Sequence, residues 1–229
     1  MEREIDLSEI SDGKLYTAND MVKIGCNDCA GCSECCRIVG DTIILDPYDL
    51  YQLKQVSGMG FEELMKDKIE LRVVDGIVQP NLKMRPDGEG CAFLSSEGRC
   101  TIHNHRPGFC RMFPMGRIYH EDGFHYFLQV HECSYPNKSK IKLKKWLGIP
   151  ELSKYEDYIN RWHRFLKRVQ EMIEKTENDT IIKNLNMFLL NQFYVKSYDT
   201  IGIDGRPPNF YTQFDERLEE AEKTVIMYR

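Results

Sequence analysis

Five thiols fall within eleven residues of this chain, in the run Cys26-Asn-Asp-Cys29-Ala-Gly-Cys32-Ser-Glu-Cys35-Cys36. Two chemistries compete for such a run, a disulfide framework and a metal site. Adjacent cysteines such as Cys35 and Cys36 bridge each other poorly, because disulfide geometry is narrow. Repeated Cys-x2-Cys steps instead turn pairs of sulfurs toward one point, which suits a tetrahedral ion or an iron–sulfur cluster. The spacing Cys26-x2-Cys29-x2-Cys32-x3-Cys36 also matches the bacterial ferredoxin run, with Arg37 where that run has Pro. The expectation is metal or cluster ligation.

The other four cysteines, Cys91, Cys100, Cys110 and Cys133, are spread over the next hundred residues, and none follows Cys133. Elements must bring them together. Asp46-Pro47 reads as a capped helix start, stopping at Ser57-Gly58, after a turn at Gly40-Asp41 and a short strand over 42–45. Phe61 opens a second short helix. Residues 71–84 read as a hairpin turning at Asp75-Gly76. Residues 91–102 read as a small hairpin with loop Ser95–Gly98, which sets Cys91 opposite Ile102 and on one face with Cys100. Pro107 can start and Pro114 stop a helical turn carrying Cys110. A further hairpin around Asp122-Gly123 leads to Cys133.

Beyond the cysteines the chain reads as helix: 141–147, 150–175 with its apolar residues at helical spacing, about 180–194, and 215–228, with a loop over 204–208. Residues 1–24 show only a turn at Asp12-Gly13. The expected fold class is therefore α+β. It has an N-terminal arm (1–25), a small metal-stapled cysteine domain of hairpins and helical turns (26–136), and a helical C-terminal region (137–229).

A net charge of −5 argues against general nucleic-acid binding, and the lysines of 138–145 read as a solvated face. No stretch approaches the roughly 18 apolar residues that span a bilayer, and residues 1–10 have no apolar leader. A cytoplasmic protein without a membrane partner is expected, in a compartment that keeps thiols reduced.

The order Cys29-x2-Cys32-x2-Cys35-Cys36, Cys91-x-Phe-Leu, Cys100-x-Ile, Arg106-Pro-x2-Cys110-Arg-x-Phe-Pro114, Cys133 resembles the YkgJ-type cysteine-cluster proteins of bacteria and archaea. The resemblance implies a zinc- or iron-chelating domain over about 26–133, and Cys26 lies outside its minimal eight-cysteine pattern. A related domain in flagellin lysine methylases adds methyl transfer as a further implication. Eight thiols suffice for two four-coordinate sites, or for one cluster plus extra thiols. Four thiolates leave about −2 on each centre, which calls for nearby cations; Arg37, Arg106 and Arg111 are the candidates. His103 and His105 are read as loop residues rather than ligands.

Three functions compete. The first is an iron–sulfur or other thiolate-ligated protein in redox, metal handling or sensing. The second is a structural-zinc module whose helical end binds a protein partner. The third is an enzyme such as a protein-lysine methyltransferase, for which no nucleotide-binding Gly-x-Gly-x2-Gly run follows a strand.

Overall fold

The computed structural model describes residues 6–38, 42–199 and 209–227. The turn at Gly40-Asp41 and the loop over 204–208 lie outside these. The fold is α+β, with three small antiparallel sheets and a helical C-terminal region.

After the short helix α1 (Leu7–Ile10), β1 (Ser11–Tyr16) and β2 (Met21–Gly25) occupy the segment for which the sequence suggested only an arm. Both pair with strands far downstream. β1 joins the free edge of the hairpin β5 (Met115–His120) and β6 (Gly123–Gln129), giving the order β1-β6-β5. β2 pairs with β7 (Ser139–Lys142), placing Val22 opposite Ile141 with Val22 in the core. The helix expected over 141–147 starts two residues later: Ile141 and Lys142 end the strand β7, and α6 (Leu143–Leu147) is helical.

α2 (Glu34–Ile38) carries Cys35 and Cys36. α3 (Pro47–Ser57) begins and ends where its caps dictate. The Asp46 carboxylate accepts from the Asp49 N–H, the Asp49 carboxylate accepts from the Asp46 N–H, and Gly58 closes the helix at φ 70°. α4 (Phe61–Asp67) follows. β3 (Ile69–Val74) and β4 (Ile77–Leu82) turn through Asp75 and Gly76, both at positive φ, the geometry a two-residue hairpin needs. The expected strand over 42–45 shrinks to one bridge, Ile44 to Asn81, flanked by the bonds Leu45 N–H to Pro80 O and Leu82 N–H to Ile43 O.

α7 (Leu152–Lys175) buries Tyr155, Tyr158, Ile159, Trp162, Phe165 and Val169, an apolar stripe at helical spacing. α8 (Asp179–Leu190) runs into one wider turn over Asn191–Val195, and α9 (Phe210–Met227) packs on α7. One cluster of buried apolar side chains runs from Val22 through Leu53, Cys91, Ile102 and Leu147 to Phe193, Phe214 and Val225. The cysteine-rich part and the helices thus share a single core.

Candidate metal centre

The first cysteines sit on a left-handed turn. Asn27, Asp28 and Cys29 have φ of 53°, 52° and 55°, and Gly31 has φ 73°. Asn and Asp tolerate this region; a cysteine there is uncommon and strained by about 1–2 kcal/mol. The turn is held from outside. Arg99 donates to the Asp28 carbonyl oxygen (3.0 Å) and carboxylate (3.2 Å), and the His103 ring nitrogen lies 2.9 Å from the same carboxylate. His103 Nε2 also meets the Arg106 guanidinium. Asp28, Arg99, His103 and Arg106 therefore lash the first cysteine group to the second. The sequence pointed to Arg106 but not to Asp28, because nothing local pairs residues 71 positions apart.

α2 is tied to the second group through its backbone: the Cys36 carbonyl oxygen accepts from the Cys91 N–H at 2.8 Å. Gly90 (φ 155°) permits that approach, since a Cβ there would lie 3.4 Å from Cys36 O and 2.7 Å from Leu94. The small hairpin pairs in a different register from the one its sequence suggests. Ser95 N–H bonds Arg99 O, Leu94 is bridged to Cys100, and Thr101 N–H bonds Phe93 O. Its register is offset by one residue from that expected, and Cys91 is bridged to Met84 instead. Arg99, at the close of this turn, reaches Asp28. Cys91 and Cys100 nevertheless reach the same cavity.

Cys110 lies on the single-turn helix α5 (Gly108–Met112), which follows Pro107. The Asp49 carboxylate, buried on α3, accepts the Gly108 N–H at 2.8 Å. The hydroxyl of Tyr155 on α7 presses on Gly108 so closely that a Cβ would sit 2.3 Å from it. The Cys110 turn is thus clamped between α3 and α7.

A cavity of about 70 Å³ lies among these elements, lined by Cys29, Cys32, Cys35, Cys36, Cys91, Cys100 and Cys110. Its other walls are largely apolar, from Ile43, Leu82, Phe93, Ile102, Phe113 and Trp146, with Arg99, His103 and Arg106 also present. Cys26 and Cys133 stand outside that lining. Cys26 is buried with its Sγ 3.4 Å from that of Cys29. Cys133 is half-buried, and its segment is tied to α2 by the Ser134 hydroxyl donating to Glu34. All nine cysteines are free thiols. Among the described residues, no three Cys, His, Asp or Glu side chains close on a common point; the thiols share a cavity without converging.

Electrostatics shows what the cavity lacks. Burial pushes the Cys29 thiol up to about 12, reinforced by its bond with Cys26. The bond to Cys36 and then burial raise Cys35. Burial raises Cys91, Cys100 and Cys133, and drives Cys110 well above the usual thiol range, with Cys91, Cys100 and Cys35 adding to it. Arg106 opposes the rise at Cys29 and Cys100, and Arg99 at Cys100. The other two candidate arginines point elsewhere. Arg37 bonds Ser33 and the Glu89 carbonyl. Arg111 is buried against the carbonyl oxygens of Asn104, Leu147 and Gly148. Many soft donors, few cations and apolar walls form a donor set suited to a thiophilic metal, whose positive charge would offset the cost of ionising the thiols.

Residues 28–140 match the family model CxxCxxCC, described as "Putative zinc- or iron-chelating domain". This segment of the chain is similar to that family. The CxxCxxCC match contains eight of the nine cysteines and begins just beyond Cys26. No curated protein and no solved structure matches the chain.

Proposed function

We propose that the chain binds metal through cysteine thiolates in two groups of four, and serves in redox, metal handling or sensing. One group is Cys26, Cys29, Cys32 and Cys133; the other is Cys35, Cys91, Cys100 and Cys110. The observation that carries this reading is the gathering of seven thiols on one mostly apolar cavity. The division follows from which thiols feel one another. Cys133 responds to Cys26 and Cys32, Cys29 to Cys26 first among the other thiols, and Cys110 to Cys91, Cys100 and Cys35. Cys36, the hydrogen-bond partner of Cys35, is the thiol that this division leaves over. Arg99 and Arg106 are the cations that offset the charge.

An iron–sulfur cluster suits the second group. A water needs about 10–15 Å³, and the cavity of about 70 Å³ exceeds what one bare ion fills. Ligands in a closed zinc site leave no such space. A single tetrahedral ion suits the first group, because two thiolates on one zinc stand roughly 3.8 Å apart, near the 3.4 Å between Cys26 and Cys29. Iron, zinc and acid-labile sulfide in anaerobically purified protein test this assignment. Iron equimolar with sulfide from the second group, together with about one zinc per chain from the first, is the expected result. Zinc with no sulfide would overturn the cluster and leave a protein with zinc in both groups.

A further inference from the structure

The lysines around β7 form a built surface. On the β2–β7 ribbon, Lys23 stands directly opposite Lys140, and Met21 opposite Lys142. Side chains two apart share a face, so three lysines and the half-exposed Met21 line one side of the ribbon, with Val22 on the other. Lys144 and Lys145 follow on α6, and Lys138 precedes β7 with its ammonium on the Cys133 carbonyl. None of Lys23, Lys140, Lys142, Lys144 and Lys145 has a carboxylate partner among the described residues. The nearby Asp20 carboxylate is taken up by the Thr17 N–H and hydroxyl. A like-charge pair facing across a ladder is destabilising, yet it stands in a chain of net charge −5.

Beside the ribbon runs a groove of about 260 Å³. Leu128, Val130 and Tyr135 give it apolar wall, Gln129 and Asn137 give it amide groups, and Lys23 and Lys138 stand at it. Among the described residues the ribbon has two strands, so no third strand pairs with either outer edge. We propose that this surface docks an acidic, extended segment of a partner protein. The strand edge supplies main-chain bonds, the groove takes an apolar side chain, and the lysines read the carboxylates. A long nucleic acid fits less well, because the cationic patch is one short ribbon on an otherwise acidic chain. β2 runs directly into Cys26 and the groove lies beside Cys133, so the partner sits next to the thiols; only this consequence rests on the metal reading above.

The test uses the full chain, purified anaerobically, with metal content measured in the same sample. The probe is a fluorescent peptide alternating Glu and Val, followed by anisotropy, beside a single-stranded oligonucleotide of equal charge and vesicles of anionic lipid. The peptide is expected to bind at about 0.01 M salt and to be released at about 1 M, where the Debye length falls from roughly 30 Å to 3 Å. The double variant Lys23→Gln with Lys140→Gln should bind about tenfold more weakly. Its melting temperature should not fall, since repulsion is removed. Lys175→Gln with Lys183→Gln, on the C-terminal helices, should bind as wild type. Absence of peptide binding, unchanged binding by the Lys23/Lys140 variant, or tighter binding of oligonucleotide or vesicles would each overturn the proposal. A metal-free sample that still binds the peptide would sink the metal reading alone.

Discussion

Asp28 and Asp49 do at the residue scale what the cysteines cannot do for themselves: each holds a thiol-bearing turn from outside. Asp49 is buried, and its carboxyl is raised well above the usual range by burial first and by Asp46 second. A carboxyl raised in the fold contributes stability that is complete below about pH 3.8 and is lost as pH rises through the folded value. Asp49→Asn removes the charge and keeps one acceptor oxygen for the Gly108 N–H, while losing the bond from the Asp46 N–H. Its melting temperature is expected to fall less steeply than that of wild type as pH rises from 4 to 7. Asp49→Ala leaves the buried Gly108 N–H unpaired and should destabilise by about 1–3 kcal/mol; equal melting of the Ala and Asn variants would contradict the clamp. The two four-thiol groups make a second residue-level claim. Cys26→Ser should lose more metal per chain than Cys36→Ser, and the reverse order by elemental analysis would restore the eight-cysteine ligand set. The gathering of Cys29, Cys32, Cys35 and Cys36 on one cavity was legible in their spacing. Asp28 was not legible, because its partner Arg99 is brought to it only by tertiary folding.

The decisive element is α5, a single turn whose existence was readable from Pro107 and Pro114 and whose setting was not. Gly108 is flanked by the Asp49 carboxylate and the Tyr155 hydroxyl, from elements on either side of it in sequence. Gly108→Ala would force Tyr155 off the turn and displace Cys110. Its bound metal should drop toward that of Cys110→Ser, and metal content equal to wild type would show that α5 tolerates the shift. Elements fixed by local chemistry followed the sequence closely: the capping box of α3, the Asp75-Gly76 turn and the apolar stripe of α7. Elements fixed by distant pairing did not. β1, β2 and β7 are short and polar on one face, and they become strands only because β6 and each other supply the ladder. The hairpin carrying Cys100 is offset by one residue in register, and the Arg99 at its turn is held by Asp28 from a distant segment.

Across the whole molecule, one core joins the cysteine elements to the C-terminal helices. Metal removal is therefore expected to lower the temperature of a single cooperative transition, and a separate early transition would show that the helices fold apart from the thiols. The pH response of the two forms should be opposite in sign. In the metal-free chain the thiols of Cys29, Cys91, Cys100 and Cys110 are raised above their ordinary value of 9.0. The stability this contributes is complete below about pH 9 and is lost as pH rises toward the folded values, near 12 for Cys29. Metal takes the place of those protons, so its affinity should rise with pH and its binding should release protons.

The most direct measurement is a count of thiols reactive toward a chromogenic reagent in native, anaerobically purified protein, before and after chelation. Metal gripped by two four-thiol groups predicts about one reactive thiol before chelation and all nine after it. Nine reactive thiols before chelation, or thiols oxidised in pairs, would contradict the account.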